Sequence, residues 1–463
     1  MLSNKLDKIM DKISEYAKYI YVVHILLAFC ALTTDTIITS ITMPLTLVLC
    51  GMVLLYRMLH VKKYIKYPFL WMYIVFVFMY IVTAVLNLEY GYMSNLKIIV
   101  WMVLLFGTLY LCDVGKEKNQ VKKELHHLLA IIIGGTTLMN VAGLVMAFMG
   151  YCVERETPGR FDYLIGLVPW GRLYGVHTDP NYGATLTFVA ILAAVFLFMR
   201  NQNRKIRVIL VISIIVDMMH LSFSGSRTGL VSLAAGLAVF TFIHMLQKKK
   251  KVIQAMVLSV VCVGVIFVAN SLLASGFNTA MEIISEYRIE HGLVDSDYVQ
   301  VLLGREEELS GDISNRRFDL WINALKVTKT APVMGISFGN IVSYCEEVLP
   351  ESYLLTNDYT VFDAFHNMFM DLLASQGLVG TVWFLIIIIT SLWFLLRNRN
   401  RLEDDDKFIS CFLFSAAVGM VCSSLFVSEI LYVHNQITVI FWLIWGFLFY
   451  FYDVNHEKED KVE

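Results

Sequence analysis

Three arginines and a histidine stand out by type and setting. Arg172 sits in Gly171-Arg172-Leu173-Tyr174-Gly175-Val176-His177-Thr178-Asp179-Pro180-Asn181, just ahead of an apolar run. Arg227 sits in Ser222-Phe223-Ser224-Gly225-Ser226-Arg227-Thr228-Gly229, between two apolar runs. Arg317 sits in Asn315-Arg316-Arg317-Phe318-Asp319-Leu320-Trp321, followed by Pro332-Val333-Met334-Gly335-Ile336-Ser337-Phe338-Gly339-Asn340. His366 sits in Asp363-Ala364-Phe365-His366-Asn367, ahead of another apolar run. A guanidinium donates two parallel hydrogen bonds to phosphate-like oxygens and does not lose its proton. An imidazole near its natural pKa takes a proton from an attacking hydroxyl. Brought together, these groups would hold a multiply charged anion and stabilise a diphosphate as its bond to carbon breaks.

Each group also has a plain structural reading. Asp179 and Pro180 suit the start of a helix, with Asn181 in its first turn. Arg227 can snorkel to lipid phosphates. On a helix Arg317 and Trp321 share a face at i, i+4, which also permits a cation–π pair. Asp363 and His366 share one at i, i+3, so that the carboxylate orients the ring. Asp217 and His220 have the same spacing inside an apolar run and read as a structural hydrogen-bonded pair. His24 is a further polar residue inside a run, while Glu429 and His434 take no role.

The elements that must position these residues are membrane helices. Of 463 residues, 57% are hydrophobic and 16% charged, with a mean hydropathy of +0.64. Soluble chains run near 45–50% and about 25%. That excludes an ordinary soluble enzyme, and the 13% aromatic content excludes a disordered chain. Runs of roughly 20 apolar residues, enough to cross a bilayer, fall near 18–35, 37–56, 67–87, 96–112, 126–149, 180–199, 207–223, 226–246, 252–274, 376–396, 408–427 and 437–452. The fold class expected is an all-α polytopic membrane protein of about twelve transmembrane helices. Residues 1–274 would hold helices 1–9, with an amphipathic interfacial helix at 1–17 rather than a cleaved leader. Residues 275–365 would form a large extracytoplasmic loop domain, acidic and then basic, and 366–463 would hold helices 10–12 and a short tail.

Lysine and arginine collect in cytoplasmic loops. With twelve spans and both termini inside, 26 of the 37 basic residues fall on the cytoplasmic side. Arg172, Arg227, Arg316 and Arg317 are among the eleven that do not, so the four groups share the outer face. Phosphate-binding loops, dinucleotide fingerprints and H-E-x-x-H are missing from the sequence. No metal ligand set or cofactor is expected, and no nucleic-acid partner. Of the eight cysteines only Cys152 and Cys345 fall in outer loops; they read as free thiols, with a disulfide as the alternative.

R-L-Y-G…D-P-N, then S-x-S-R-T-G, then R-x-x-x-W…P…G-x-S-x-G-N, then H-N with a following Gly-Leu-Val-Gly resembles the O-antigen ligase and O-antigen polymerase superfamily of bacterial envelopes, over about 160–385. The resemblance implies a multi-pass protein of the bacterial cytoplasmic membrane. It implies a metal-independent, inverting transfer of a glycan from an undecaprenyl diphosphate carrier to a sugar hydroxyl. On that resemblance Arg172, Arg227 and Arg317 bind the lipid diphosphate, Arg227, Arg317 and His366 are catalytic, His366 as general base or by positioning the acceptor, and Asp179, Asn181, Trp321 and Asn367 support the site; Asp363 as the orienting partner of His366 rests on its spacing alone. The implied partners are the lipid-linked oligosaccharide, a glycan or lipid-linked acceptor, membrane lipids, a flippase and a chain-length regulator. The long outer loop tilts the reading to a polymerase, with a ligase as the alternative. A twelve-span transporter would show two related halves about a central cytoplasmic loop, and a lipid flippase would need cations along a through-going cavity.

Overall fold

The computed structural model describes residues 2–156, 162–293, 301–304, 316–357 and 361–453. Arg160, Arg305, Asn315, Lys458, Lys461 and the acidic residues Asp295, Asp297 and Glu306 to Glu308 lie outside the described residues. Every apolar run expected to span forms a helix: α1 Leu2–Ala28, α2 Ile37–Leu59, then after a single turn α3 Val61–Tyr64, α4 Leu70–Leu86, α5 Met93–Leu104, α6 Lys118–Met149, α7 Pro180–Arg200, α8 Arg204–Phe223, α9 Arg227–Gln247 and α10 Val252–Glu290. After the large loop, which carries α11 Arg317–Thr330, α12 Ile341–Val348 and α13 Tyr353–Thr356, come α14 Met368–Asn398, α15 Asp404–Ser424 and α16 Gln436–Tyr452. Among the described residues, nine helices are long and apolar enough to cross a membrane, while α4 and α16 are shorter and apolar. The protein is an all-α polytopic membrane protein in architecture.

Four details differ from the sequence reading. The interfacial helix expected at 1–17 and the first span form one helix, α1, which stops at Ala28 rather than 35. α10 continues sixteen residues past 274, and its 39 residues, at about 1.5 Å each, reach about 58 Å, well beyond a hydrocarbon core of about 30 Å. A small antiparallel sheet, unforeseen, joins β1 Cys152–Arg155, β2 Tyr163–Val168 and β3 Arg172–Gly175. Finally, α14 begins at Met368 and bends at Gly377, whose φ of +59° is not helical.

The bundle is tied at two ends. At the end bearing the lysine-rich turns, the buried Lys18 ammonium of α1 lies 2.7 Å from Glu124 of α6, and Lys116 lies 2.5 Å from the same carboxylate. Arg57 of α2 pairs with the buried Asp113 and donates to the Gly107 carbonyl at 2.8 Å, within the π-helical turn Leu105–Tyr110 that extends α5. Four helix segments are thus cross-linked through charges taken out of water. At the opposite end, the loop between α10 and α14 has its own core of Leu320, Ala324, Val327, Ile341, Leu354 and Phe365.

Removing one partner of a buried ion pair strands the other charge and costs about 3–5 kcal/mol. Replacing Glu124 by Ala deprives Lys18 and Lys116 of their shared acceptor. The detergent-solubilised variant should lose its monodisperse gel-filtration peak at a clearly lower temperature than wild type. An unchanged heating profile would mean that this cluster does not hold the bundle together.

Candidate functional site

The site is built from helix starts. Asp179 caps α7: its Oδ1 accepts from the Asn181 N–H at 2.7 Å and the Tyr182 N–H at 3.1 Å, with Pro180 in the first turn. This matches the structural reading of the sequence. Asn181 then serves as an acceptor for two other segments. The Arg172 guanidinium of β3 donates to Asn181 Oδ1 at 2.8 Å through Nη2, and to the Ser224 carbonyl at 2.7 Å through Nε. Ser226 donates to the same Asn181 oxygen at 3.2 Å while its hydroxyl caps α9 at the Gly229 N–H. Arg227, exposed, follows directly as the first residue of α9. The first and second groups are therefore hydrogen-bonded to each other.

The third and fourth groups meet on the same side. Arg316, with φ +64°, stands at the cap position of α11, and Arg317 is the first helical residue. The Arg317 guanidinium lies 5.6 Å from the Phe426 ring, in the turn between α15 and α16. It does not stack on Trp321, whose ring instead meets Phe318 edge-on at 5.4 Å. Arg317 and Trp321 do share a helix, as the spacing predicts, but the cation faces α15 and α16. His366 is half-buried, and burial together with the nearby Arg317 charge lowers its pKa from the ordinary imidazole value. Asp179 and Asp363 act in the opposite direction. The imidazole therefore feels groups from three separate segments.

The expected helical pairing of Asp363 with His366 is not formed. Residues 361–367 are non-helical, and His366 adopts φ +50°. A left-handed non-glycine residue costs about 1–3 kcal/mol and persists only where its surroundings over-determine it. Here Asn367 is the cap, its Oδ1 accepting from Phe369 and Met370 N–H at 2.9 and 3.2 Å. Its Nδ2 donates to the Leu425 carbonyl at 3.0 Å. Asp363 reaches His366 as a nearby charge, not as an i, i+3 neighbour on a helix.

The G-I-S-F-G-N motif is a clamp beside the site rather than part of it. Ile336 and Ser337 N–H donate to the Ala374 and Ser375 carbonyls at 3.0 and 2.9 Å, where α14 bends. Asn340 accepts from Asn95 of α5 at 2.8 Å and donates to the Asn87 carbonyl at 2.9 Å. Among the described residues no group of three or more His, Cys, Asp or Glu side chains is placed to hold a metal ion.

Residues 219–385 match the model of a family described as O-Antigen ligase. The resemblance to the O-antigen ligase and polymerase superfamily is thereby shown. The matched stretch runs from the end of α8 past the bend of α14, and takes in Arg227, Arg317 and His366 but not Arg172, Asp179 or Asn181. The chain is also similar to an uncharacterised protein of Haemophilus influenzae, 22% identical over 231 residues. That alignment covers 50% of this chain and 53% of the relative, so the chain spans about half the length of the curated relative it matches.

Other expectations are settled by the same geometry. Asp217 and His220 do not bond to each other: Asp217 accepts from Asn140 and Thr137 at 2.8 and 3.1 Å, and His220 lies beside His177, ring centroids 4.9 Å apart. Both are buried, and the i, i+3 spacing misled because helices α6 and α7 supply nearer partners. Cys152 and Cys345 are free; Cys345 is buried in the loop core and Cys152 is exposed on β1. Glu429, given no role by the sequence, is buried between Thr185 and Ser423 hydroxyls at 3.1 and 2.5 Å, and burial pushes its carboxyl up to about 8. Its sequence signal is an acid in a mostly apolar loop.

At the bend, a Cβ on Gly377 would stand 2.4 Å from the Val333 carbonyl oxygen, at a φ that L side chains rarely adopt. Gly377→Ala should push the clamp off α14 and sharply reduce the yield of monodisperse protein. Gly264→Ala, with nothing within 4 Å of the new methyl, is the matched control. Equal yields for the two would contradict the clamp.

Proposed function

We propose that the protein transfers a glycan from an undecaprenyl diphosphate-linked donor to a sugar hydroxyl on the outer face of the bacterial cytoplasmic membrane, most simply by polymerising surface polysaccharide repeat units. The observation that carries this reading is that Arg172 and the segment bearing Arg227 are joined through Asn181, while Arg317 and the neighbouring Asp179 cap lie close enough to His366 for their charges to act on it. The family match over Arg227, Arg317 and His366 supports the same chemistry.

In this mechanism the guanidiniums receive the diphosphate oxygens, and the prenyl chain remains in the bilayer. A neutral His366 takes the proton of the acceptor hydroxyl. The hydroxyl oxygen attacks the anomeric carbon, the bond to the diphosphate oxygen breaks with its electron pair, and the arginines stabilise the negative charge that gathers on the departing undecaprenyl diphosphate. Attack opposite to the leaving group inverts the anomeric carbon. Asp179, Asn181 and Asn367 hold the frame, and Trp321 packs against Phe318 in the first turn of α11. The charge alternation along the chain supports placing this end outside and both termini inside. A ligase acting on lipid A core or another acceptor is the second reading, and the family description favours it. In a deletion strain, single repeats on the carrier would identify a polymerase, and long unattached polymer would identify a ligase.

Arg317→Ala and His366→Ala should each abolish polymer or ligated glycan while the protein still reaches the membrane, read by glycan gels beside membrane immunoblots. Wild-type glycan in either variant would remove the site. Activity in excess EDTA should be retained, since no metal takes part in these steps.

The pH dependence has a definite sign. A base must be neutral, so activity is present above the His366 pKa and is lost as pH falls through it. Burial and Arg317 lower that pKa, whereas Asp363 raises it. Asp363→Asn should therefore move the acid limb of kcat/KM to lower pH, and Arg317→Gln should move the limb of its residual activity upward. A shift of either limb in the opposite direction would exclude His366 as the base.

A further inference from the structure

The sequence reading passed over Asp371, an acid one turn into the apolar helix α14. Its side chain is 2% exposed. Ionisable groups in membrane helices are expensive and persist where they have work to do. An acidic residue near a helix start can simply complement the helix dipole, but Asp371 does something more specific. Its Oδ1 accepts the Phe365 N–H at 2.8 Å, two residues before the cap and outside the helix. The first-turn N–H groups of Phe369 and Met370 are already taken by Asn367. Asp371 thus reaches backward over the cap and ties down Phe365, so that His366 is the one residue left between this anchor and the Asn367 cap.

The neighbours of His366 make that stretch stiff. Phe365 is fully buried in the loop core, and Asn367 is tied to the Leu425 carbonyl. Between these two anchors the His366 backbone has φ +50°, and its ring meets Phe362 edge-on at 5.7 Å. A left-handed residue relaxes to an ordinary conformation when its restraints are loosened, and relaxation here would swing the imidazole. We propose that Asp371 is a positioning residue for His366: by accepting the Phe365 N–H, its side chain holds the left-handed turn that presents the imidazole to Arg317 and the acceptor hydroxyl. The proposal rests on the reading of His366 as the base.

The test uses full-length protein in proteoliposomes with undecaprenyl diphosphate-linked repeat units extracted from the host strain. Asp371→Ala, Asp371→Asn, His366→Ala and the His366→Ala/Asp371→Ala double variant are compared at equal protein levels. A displaced catalytic group costs about 10–100-fold in rate, so Asp371→Ala should lower kcat by that factor while KM for the donor stays within about threefold of wild type. Asp371→Asn keeps an acceptor oxygen in place and should keep kcat within about threefold of wild type. The double variant should be no slower than His366→Ala alone.

A wild-type kcat in Asp371→Ala, a rise in KM without loss of kcat, or an Asp371→Asn variant as slow as Asp371→Ala would each overturn the positioning role. Should Asp371→Ala not accumulate, Asp371→Asn decides alone: a large loss of kcat there refutes a hydrogen bond that asparagine can make. An active His366→Ala would be a different failure. It would remove the base on which the proposal stands, whatever Asp371 does.

Discussion

The buried Arg172 guanidinium joins the end of the bundle opposite the lysine-rich turns. A cation at the edge of a bilayer must find acceptors, because water is scarce and an unpaired polar group there is costly. Arg172 takes the Ser224 carbonyl at the end of α8 and the Asn181 side chain at the start of α7. Ser226, the cap of α9, donates to the same Asn181 oxygen. Two chain segments therefore donate to one acceptor carried by a third. Asn181 is held in turn because Asp179 fixes the backbone on which it stands. The direction of Arg172, the start of two membrane helices and the placing of Arg227 are one constraint rather than four.

The other end of the bundle solves a related problem differently. There Lys18, Arg57 and Lys116 are matched by Asp113, Glu124 and Glu15, so buried charge is met by charge. Such a cluster adds little net stability over apolar packing but is severe about geometry, because any displaced member strands a charge. It fixes α1, α2, the end of α5 and α6 against one another. The clamp at Gly335 and Gly377 does the same for α14 at the opposite end, through backbone hydrogen bonds that leave no room for a Cβ. The two ends of the bundle are thus tied by different means, charge at one and backbone hydrogen bonds at the other.

How much of this was legible depends on the range of each interaction. The helices were legible, because span length and composition are local. Asp179 as a cap was legible too, since its partners lie two and three residues away. The order of the four polar groups gave their common end of the bundle through helix alternation. What failed depended on distant partners. Nothing near Arg317 in sequence announces Phe426, and nothing near Asp217 announces Asn140 and Thr137. The helical pairing of Asp363 with His366 failed for a nearer reason: Asn367 is the better cap, and a helix starting at Met368 excludes them both. The three strands were missed because they are four to six residues long and give little periodicity.

The cap positions carry a further consequence for the site. Asp179, Ser226, Arg316 and Asn367 stand at the starts of α7, α9, α11 and α14. Each helix start carries roughly half a positive charge, from aligned peptide dipoles, and the effect fades within a turn. Helix starts also attract phosphate groups. The starts capped by Ser226, Arg316 and Asn367 add to the field of the guanidiniums without adding a carboxylate, while the Asp179 carboxylate offsets it at the start of α7. Under the proposed chemistry that field acts twice. It favours the diphosphate as negative charge gathers on it, and it disfavours an imidazolium at His366, in the same direction as burial and Arg317. A site arranged to receive an anion is therefore also one that keeps its base unprotonated. The two requirements of the reaction do not compete for the same residues: one geometry meets both.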